Sequence, residues 1–143
     1  MNEQQEKRLM RDKKMTELWL ICGSRKQDSI YPNKYKETVF KTLNEILWNK
    51  RGLNSRTWTP EIMEGCCKGC ADEYAEQWAD QNLEGTMIHH YPAEKGMYLQ
   101  RNITMVSMLP TMVIAFWDGY SYGTAHTIAH AVRLRIPVKI ITI

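Results

Sequence analysis

The segment WDGYSYGTAH, residues 117–126, follows a hydrophobic run and carries residue types that can bind phosphate. Gly119 and Gly123 permit backbone angles that other residues avoid, and they let a ligand approach the main chain. Ser121 and Thr124 can cap a helix whose first amide N–H groups are unpaired and partly positive. Ordinary strand-to-helix turns use the same residues. This loop alone therefore leaves phosphate binding and a purely structural turn open.

A second loop, GSRK, begins at Gly23 after the hydrophobic run LWLIC. Gly23 gives backbone room, Ser24 offers a hydroxyl, and Arg25 can grip phosphate through two parallel hydrogen bonds. The alternative is that Arg25 is a surface residue of a long polar loop. Taken together with the first loop, the pattern favours anion binding.

A third loop, EGCCKGCAD, contains Gly65 and Gly69, which predict a tight turn onto a helix that begins near Ala71. Asp72 falls in the first turn of that helix, where the helix dipole stabilises a carboxylate. We favour a capping role for Asp72 over hydrogen bonding to ribose hydroxyls. Further along the chain, Arg101 and Asn102 stand in an otherwise apolar helical pattern. Spacing does not decide whether Arg101 reaches a phosphate or faces solvent.

Residues that commonly bind metals are present, but their spacing does not form a recognisable site. The four cysteines are Cys22, Cys66, Cys67 and Cys70. The single CxxC lacks a partner pair, so we expect reduced side chains in a tight turn. His126 and His130 have zinc-binding spacing but lack the Glu of a zinc hydrolase. Residues 89–90 are both His, and in a strand they point to opposite faces. We expect no metal and no cofactor.

These loops separate apolar runs that alternate with helical patterns. Strands are predicted at LWLIC, near residues 61–64, and at MIHHY, MVIAFW and VKIITI. Helices are predicted over residues 34–50, from about residue 71, over 97–109 and over 124–135. In the last helix the apolar spacing predicts an inner face of Ala125, Ile128, Ala129 and Val132.

The alternation predicts an α/β fold, with a doubly wound, parallel, five-stranded sheet and helices on both faces. In the strand order 3-2-1-4-5, the first and fourth strands are neighbours where the order reverses. The loops after Cys22 and Trp117 then open into one crevice, which is where such folds bind ligands.

The totals limit what the chain can be. Its 143 residues, 43% hydrophobic and 24% charged, suit one domain over residues 16–143, preceded by a charged extension over residues 1–15. We expect that extension to be a solvated helix or a frayed tail. The first fourteen residues hold five basic and three acidic side chains, so they supply +2 of the net charge of +3. The nearly neutral remainder disfavours nucleic acid as a partner. No apolar run reaches the roughly 18 residues of a membrane span, so we expect no membrane partner and a cytoplasmic protein.

Four motifs in order carry a resemblance to a known family: GSR, EGCCKGCAD followed by YAEQWA, YPA with RN, and VIAFWDGYSYGTAHTIAHA followed by IPV. From about Leu18 to Ile143 the chain resembles the YspA-like (cpYpsA-related) branch of the SLOG superfamily, which also includes the LOG and DprA proteins. The resemblance implies a Rossmann-like domain whose loops bind nucleotides or nucleotide-derived ligands. Carried over by position, the implied ligand-binding residues are Gly23, Ser24, Arg25, Gly65, Lys68, Gly69, Asp72, Arg101, Asn102, Asp118, Gly119, Ser121, Gly123 and Thr124.

One position departs from the LOG enzymes, which cleave the N-glycosidic bond of nucleoside monophosphates. Their loop has the form GGxGTxxE with a catalytic Glu, and Thr127 occupies the position of that Glu here. A hydroxyl cannot replace a carboxylate in this chemistry. A catalytic carboxylate would have to be Asp118 or Asp72 in another geometry.

We therefore expect a protein that senses or sequesters a nucleotide-derived small molecule, such as an ADP-ribose or cyclic ADP-ribose relative. The alternative is a nucleotide N-glycosidase-type hydrolase, with Asp118 as the first candidate for catalysis. A DprA-like nucleic-acid binder is disfavoured by charge. Trp48, Trp78 and nine Met residues give more apolar surface than one small core needs, so we also expect a homo-oligomer.

Overall fold

The chain forms one parallel sheet with helices on both faces. The computed structural model describes residues 2–14, 17–52 and 58–143. The strands are β1 (Leu18–Gly23), β2 (Glu61–Glu64), β3 (Ile88–His90), β4 (Met112–Trp117) and β5 (Val138–Thr142). The helices are α1 (Glu3–Lys14), α2 (Tyr35–Arg51), α3 (Ala71–Asn82), α4 (Tyr98–Ser107) and α5 (Tyr122–Arg133).

The strand order is β3-β2-β1-β4-β5, and every pair is parallel. The predicted doubly wound α/β class and strand order are therefore confirmed. Parallel strands require crossovers, and α2 to α5 supply them. Because the order reverses between β1 and β4, the loops that follow these two strands separate and leave a crevice at the carboxyl edge of the sheet.

Successive residues of the strands point to opposite faces, and each face has its own core. On one face, α2 and α3 cover Trp19, Ile21 and Phe116. The Trp19 ring stacks on the Trp78 ring of α3, with 6.4 Å between ring centroids. Trp78 is fully buried, so it belongs to this core, whereas 78% of Trp48 is exposed. Each buried large side chain contributes about 1.5–3 kcal/mol of transfer free energy, and this anchors the strands whose ends carry the crevice.

On the opposite face, α4 and α5 cover a second cluster that includes Leu20, Met63 and Val113. The predicted inner face of α5 was wrong in part. The buried residues of that helix are Thr124, Thr127 and Ala131, whereas Ala129 and Val132 are exposed. The Thr127 hydroxyl donates to the Gly123 carbonyl at 3.2 Å, so it can be buried without an unpaired polar group.

The charged N-terminal segment is helical over Glu3–Lys14. Of the two predicted alternatives, a solvated helix or a frayed tail, the structure therefore has the helix. A salt bridge of 3.1 Å joins Lys7 and Glu3 one turn apart, and such a surface pair stabilises a helix only slightly. The predicted domain boundary between residues 15 and 16 lies outside the described residues.

Candidate functional site

The crevice has a volume of about 390 Å³ and lies beyond the carboxyl ends of β1 and β4. It collects residues from three strand-to-helix loops and from α3, α4 and α5. The predicted residues that line it are Gly23, Ser24, Arg25, Asp72, Arg101, Asn102, Ser121, Gly123 and Thr124. Predicted residues outside its lining are Gly65, Lys68, Gly69, Asp118 and Gly119.

The loop after β1 is held by packing at Gly23 and presents the Arg25 side chain to the crevice. A Cβ at Gly23 would lie 2.6 Å from the Tyr35 hydroxyl and 2.7 Å from the Phe116 carbonyl, so packing requires this glycine. The Ser24 carbonyl accepts a hydrogen bond from the Tyr35 hydroxyl at 2.7 Å. The Arg25 side chain is 64% exposed and bonds Asp28 through Nε at 3.0 Å. The terminal nitrogens of its guanidinium have no partner among the described residues.

Asp118 holds the loop after β4 rather than facing the crevice. Its Oδ1 accepts hydrogen bonds from the Ser24 hydroxyl (3.1 Å), the Tyr120 amide (2.9 Å) and the Ser121 amide (2.7 Å). The Asp118 amide in turn donates to the Ser24 hydroxyl at 3.0 Å. Desolvation alone would raise the pKa of Asp118, but these hydrogen bonds lower it to about 2. Asp118 is thus a charged brace between the two loops of the crevice.

The N-terminus of α5 opens into the crevice. Ser121 is the capping position and makes no side-chain capping bond. Its carbonyl accepts the Ala125 amide at 3.1 Å, the first bond of the helix. In the described structure, no acceptor pairs with the amides of Tyr122, Gly123 and Thr124, as expected for the first turn of a helix. These free N–H groups and the helix dipole favour an anion at this end.

The loop between β2 and α3 is tied together by the Asp72 carboxylate. Its Oδ2 accepts the amides of Gly65 (3.0 Å) and Cys67 (3.3 Å), so it holds the preceding loop, whereas the capping position of α3 is Cys70. A Cβ at Gly65 would overlap the Arg101 guanidinium, so a larger residue here would displace the Arg101 side chain. Gly69 has a φ of 69°, which favours glycine. Lys68 is exposed on the same turn.

Asp72 is also a buried titratable group of the crevice. It is 5% exposed and lines the crevice. Burial, followed by repulsion from the Glu64 carboxylate, raises the pKa of Asp72 to about 7, despite the opposing amide hydrogen bonds and Arg101. A carboxyl group with this pKa can donate or accept a proton near neutral pH.

Arg101 and Asn102 connect the loops from α4. The Arg101 guanidinium donates through Nη1 to the carbonyls of Gly65 and Tyr91, and through Nε to the Asn102 amide oxygen at 3.0 Å. The Asn102 amide nitrogen donates to the Gly123 carbonyl at 3.3 Å. Arg101 therefore holds the loops after β2 and β3 against α4, although it lines the crevice.

Sequence reasoning missed several lining residues. They are Cys22, Asp28, Cys67, Cys70, Tyr98, Met105, Tyr122 and Thr127. Among them, Tyr98 and Tyr122 could contact a ligand through large aromatic rings, because their side chains are 54% and 70% exposed at the crevice. For Tyr122, the signal available in the sequence was its position next to Gly123, after β4. Cys67 and Cys70 form a disulfide, so the expectation of reduced side chains was wrong for this pair.

Family models, curated proteins and solved structures yielded no match to this chain. Among the described residues, no helix is both long and apolar enough to cross a membrane. The assignment of a function therefore rests on the crevice itself.

Proposed function

We propose that the crevice binds a nucleotide-derived small molecule, of the ADP-ribose or cyclic ADP-ribose kind, and that the protein senses or sequesters it. One observation carries this proposal: the Arg25 guanidinium, whose terminal nitrogens are unpaired in the described structure, and the open N-terminus of α5 line the same crevice as two exposed tyrosines. The resemblance of the loop motifs to SLOG proteins points to the same ligand class.

Phosphate would lie at the α5 end of the crevice. The amides of Gly123 and Thr124 offer hydrogen bonds there, and the Arg25 guanidinium can add a charge-assisted, bidentate contact. The exposed rings of Tyr98 and Tyr122 can stack on the base of a nucleotide. Such stacking does not depend on which base is present and contributes about 1–3 kcal/mol. At about 390 Å³, the crevice is within the usual size range of small-molecule sites.

Calorimetric titration with ADP-ribose and cyclic ADP-ribose isomers tests the phosphate contact. We expect Arg25→Ala to weaken binding about tenfold or more, because a hydrogen bond to a charged group contributes about 1.5–3 kcal/mol. Lys26→Ala is the matched control, since Lys26 is exposed, adjacent and outside the lining. Equal weakening by both substitutions would mean that only general positive charge matters.

A second candidate, a nucleotide N-glycosidase-type hydrolase, is favoured by the environment of Asp72. A carboxyl group with a pKa of about 7 in the crevice is suited to acid or base catalysis, whereas Asp118 is engaged and outside the lining. In a hydrolase, Asp72→Asn would abolish product formation and leave the ligand bound. In a binding protein, the wild type would return its ligand intact.

We also propose that the protein is a homo-oligomer. Leu99 and Ile103 of α4 and Val132 of α5 are 40%, 41% and 60% exposed on two helices that pack against each other. A second copy of the chain would remove this apolar surface from water. Light scattering at micromolar concentration tests it: the wild type should exceed the monomer mass, and Val132→Lys should reduce it. A monomeric wild type would refute this proposal.

A further inference from the structure

A second cluster of chemically active side chains lies behind the crevice, at the carboxyl ends of β2 and β3. Glu64 is the last residue of β2, and His90, the last residue of β3, pairs with it in the sheet register. Cys66 follows Glu64 in the loop towards α3, and Glu76 approaches from α3. None of these residues lines the crevice.

The potential ligand atoms of the cluster already lie close together. Glu64 Oε1 is 2.6 Å from His90 Nδ1 and 3.5 Å from Cys66 Sγ, and Sγ is 3.6 Å from Nδ1. Zn–ligand bonds of about 2.0–2.3 Å place tetrahedral ligands about 3.3–3.8 Å apart. Both distances to sulfur lie within this range. The distance between Glu64 Oε1 and His90 Nδ1 would have to increase by about 0.7 Å on metal binding.

The charge of Glu64 also calls for a cation. Its side chain is fully buried, and its one ion-pair partner in the described structure is His90, which is charged only when protonated. No Lys or Arg side chain in the described ranges pairs with it. An ionised carboxylate buried in this way needs a compensating positive charge.

The backbone brings the thiol to this carboxylate. Cys66 has a φ of 61°, a left-handed conformation that costs a non-glycine residue about 1–2 kcal/mol. In this conformation the Cys66 amide donates to Glu64 Oε2 at 2.6 Å while Sγ faces Oε1. A glycine would adopt this backbone more easily, but it would carry no sulfur.

We propose that Glu64, Cys66 and His90 bind one Zn²⁺ ion, with Glu76 or a water molecule as the fourth ligand. Glu76 Oε2 is 4.0 Å from His90 Nδ1. Sulfur, imidazole and carboxylate donors together suit Zn²⁺, whereas Mg²⁺ and Ca²⁺ prefer oxygen ligands alone. Cys66 binds as a thiolate after releasing its proton to solvent, and His90 binds through the Nδ1 lone pair with its proton on Nε2. The ion would fix the loop that carries Cys67 and Cys70 to the crevice.

Metal titration of the purified, chelator-treated protein tests the proposal. We expect one Zn²⁺ per chain, and we expect Co²⁺ in its place to give tetrahedral ligand-field bands with a thiolate charge-transfer band. No stoichiometric binding at micromolar Zn²⁺, or octahedral cobalt without the charge-transfer band, overturns the proposal.

Two variants locate the ion. Cys66→Gly suits the left-handed backbone, so it should fold while losing the charge-transfer band and weakening Zn²⁺ at least tenfold. His90→Gln should weaken Zn²⁺ binding to a similar degree.

Two control variants leave the three proposed ligands in place. One is His89→Gln, which changes the neighbouring histidine that bonds Glu61 at 2.9 Å, and the other is the double variant Cys67→Ser, Cys70→Ser. Both controls should bind Zn²⁺ like the wild type. Loss of metal in the double variant with retention in Cys66→Gly places the ion at the CxxC and overturns the proposal.

Discussion

At the residue scale, Asp72 makes the stability of the fold depend on pH. Its pKa is about 7 in the folded chain, against an ordinary value of 3.8, because burial and then Glu64 disfavour the charged form. The folded chain therefore keeps this proton after the unfolded chain has lost it. The stability contribution of Asp72 is complete below about pH 3.8 and is lost as the pH rises through about 7.

Asp72→Asn should remove this contribution and keep an oxygen acceptor for the amides of Gly65 and Cys67. We expect the wild type to lose about 2–4 kcal/mol relative to Asp72→Asn between pH 4 and 8, since one pKa unit corresponds to about 1.4 kcal/mol. Urea unfolding of both proteins across this range measures the difference. Parallel pH profiles would contradict the raised pKa.

Asp118 should behave in the opposite way. Its pKa is lowered to about 2, so its stabilisation is present above the ordinary value of 3.8 and is lost as the pH falls through about 2. Asp118→Ala should cost about 1–3 kcal/mol at pH 7, because it leaves the amides of Tyr120 and Ser121 without their acceptor. Asp80→Ala, at an exposed position of α3, is the control and should change the urea midpoint little. Equal midpoints for the two variants would rule out a bracing role for Asp118.

These two carboxylates mark the limit of sequence reasoning about single residues. The position of Asp72 in the first turn of α3 was predictable from its place after a glycine-rich turn. Its raised pKa was not, because that depends on burial and on Glu64, which lies eight positions earlier and reaches Asp72 only through the fold. Asp118 was the first candidate for catalysis from its position after β4. Its three hydrogen bonds, one of them from the loop after β1, appear only in three dimensions.

At the element scale, the packing of β1 against α2 and α3 depends on Gly23. An added Cβ would meet the Tyr35 hydroxyl, the Phe116 carbonyl and the Ala71 side chain, all within 2.9 Å. We expect Gly23→Ala to destabilise the fold by about 1–3 kcal/mol, as overpacking does. The control is Gly123→Ala, where a Cβ meets nothing within 4 Å and helix propensity favours alanine by up to about 1 kcal/mol. Thermal unfolding compares the two, and equal melting temperatures would contradict the packing role of Gly23.

The elements themselves were largely predictable, since hydrophobic periodicity distinguishes buried strands from amphipathic helices. The orientation of α5 was not, because its buried side includes Thr124 and Thr127 while Val132 faces outwards. The Glu64–Cys66–His90 cluster was also not predictable from the sequence. Glu64 and His90 end two different strands and Cys66 lies in the loop after β2, so only the parallel pairing of β2 and β3 brings the three side chains together.

At the scale of the whole molecule, the strand order decides where chemistry can occur. Reversal of the order between β1 and β4 separates two loops, and the crevice between them receives Arg25 from one side and the N-terminus of α5 from the other. The position of the crevice followed from the sequence. The identity of its ligand does not follow from the fold, because unrelated functions share this architecture.

The most direct test of the proposed function is to identify what the crevice retains. The purified protein would be incubated with AMP, NAD, ADP-ribose and cyclic ADP-ribose isomers, freed of unbound compound and denatured, and the released molecules identified by mass spectrometry. We predict that the wild type and Lys26→Ala release one of these compounds intact and that Arg25→Ala releases much less. Recovery of no compound, or of equal amounts from Arg25→Ala, would contradict binding in this crevice. Recovery of a cleaved product that disappears in Asp72→Asn would identify a hydrolase instead.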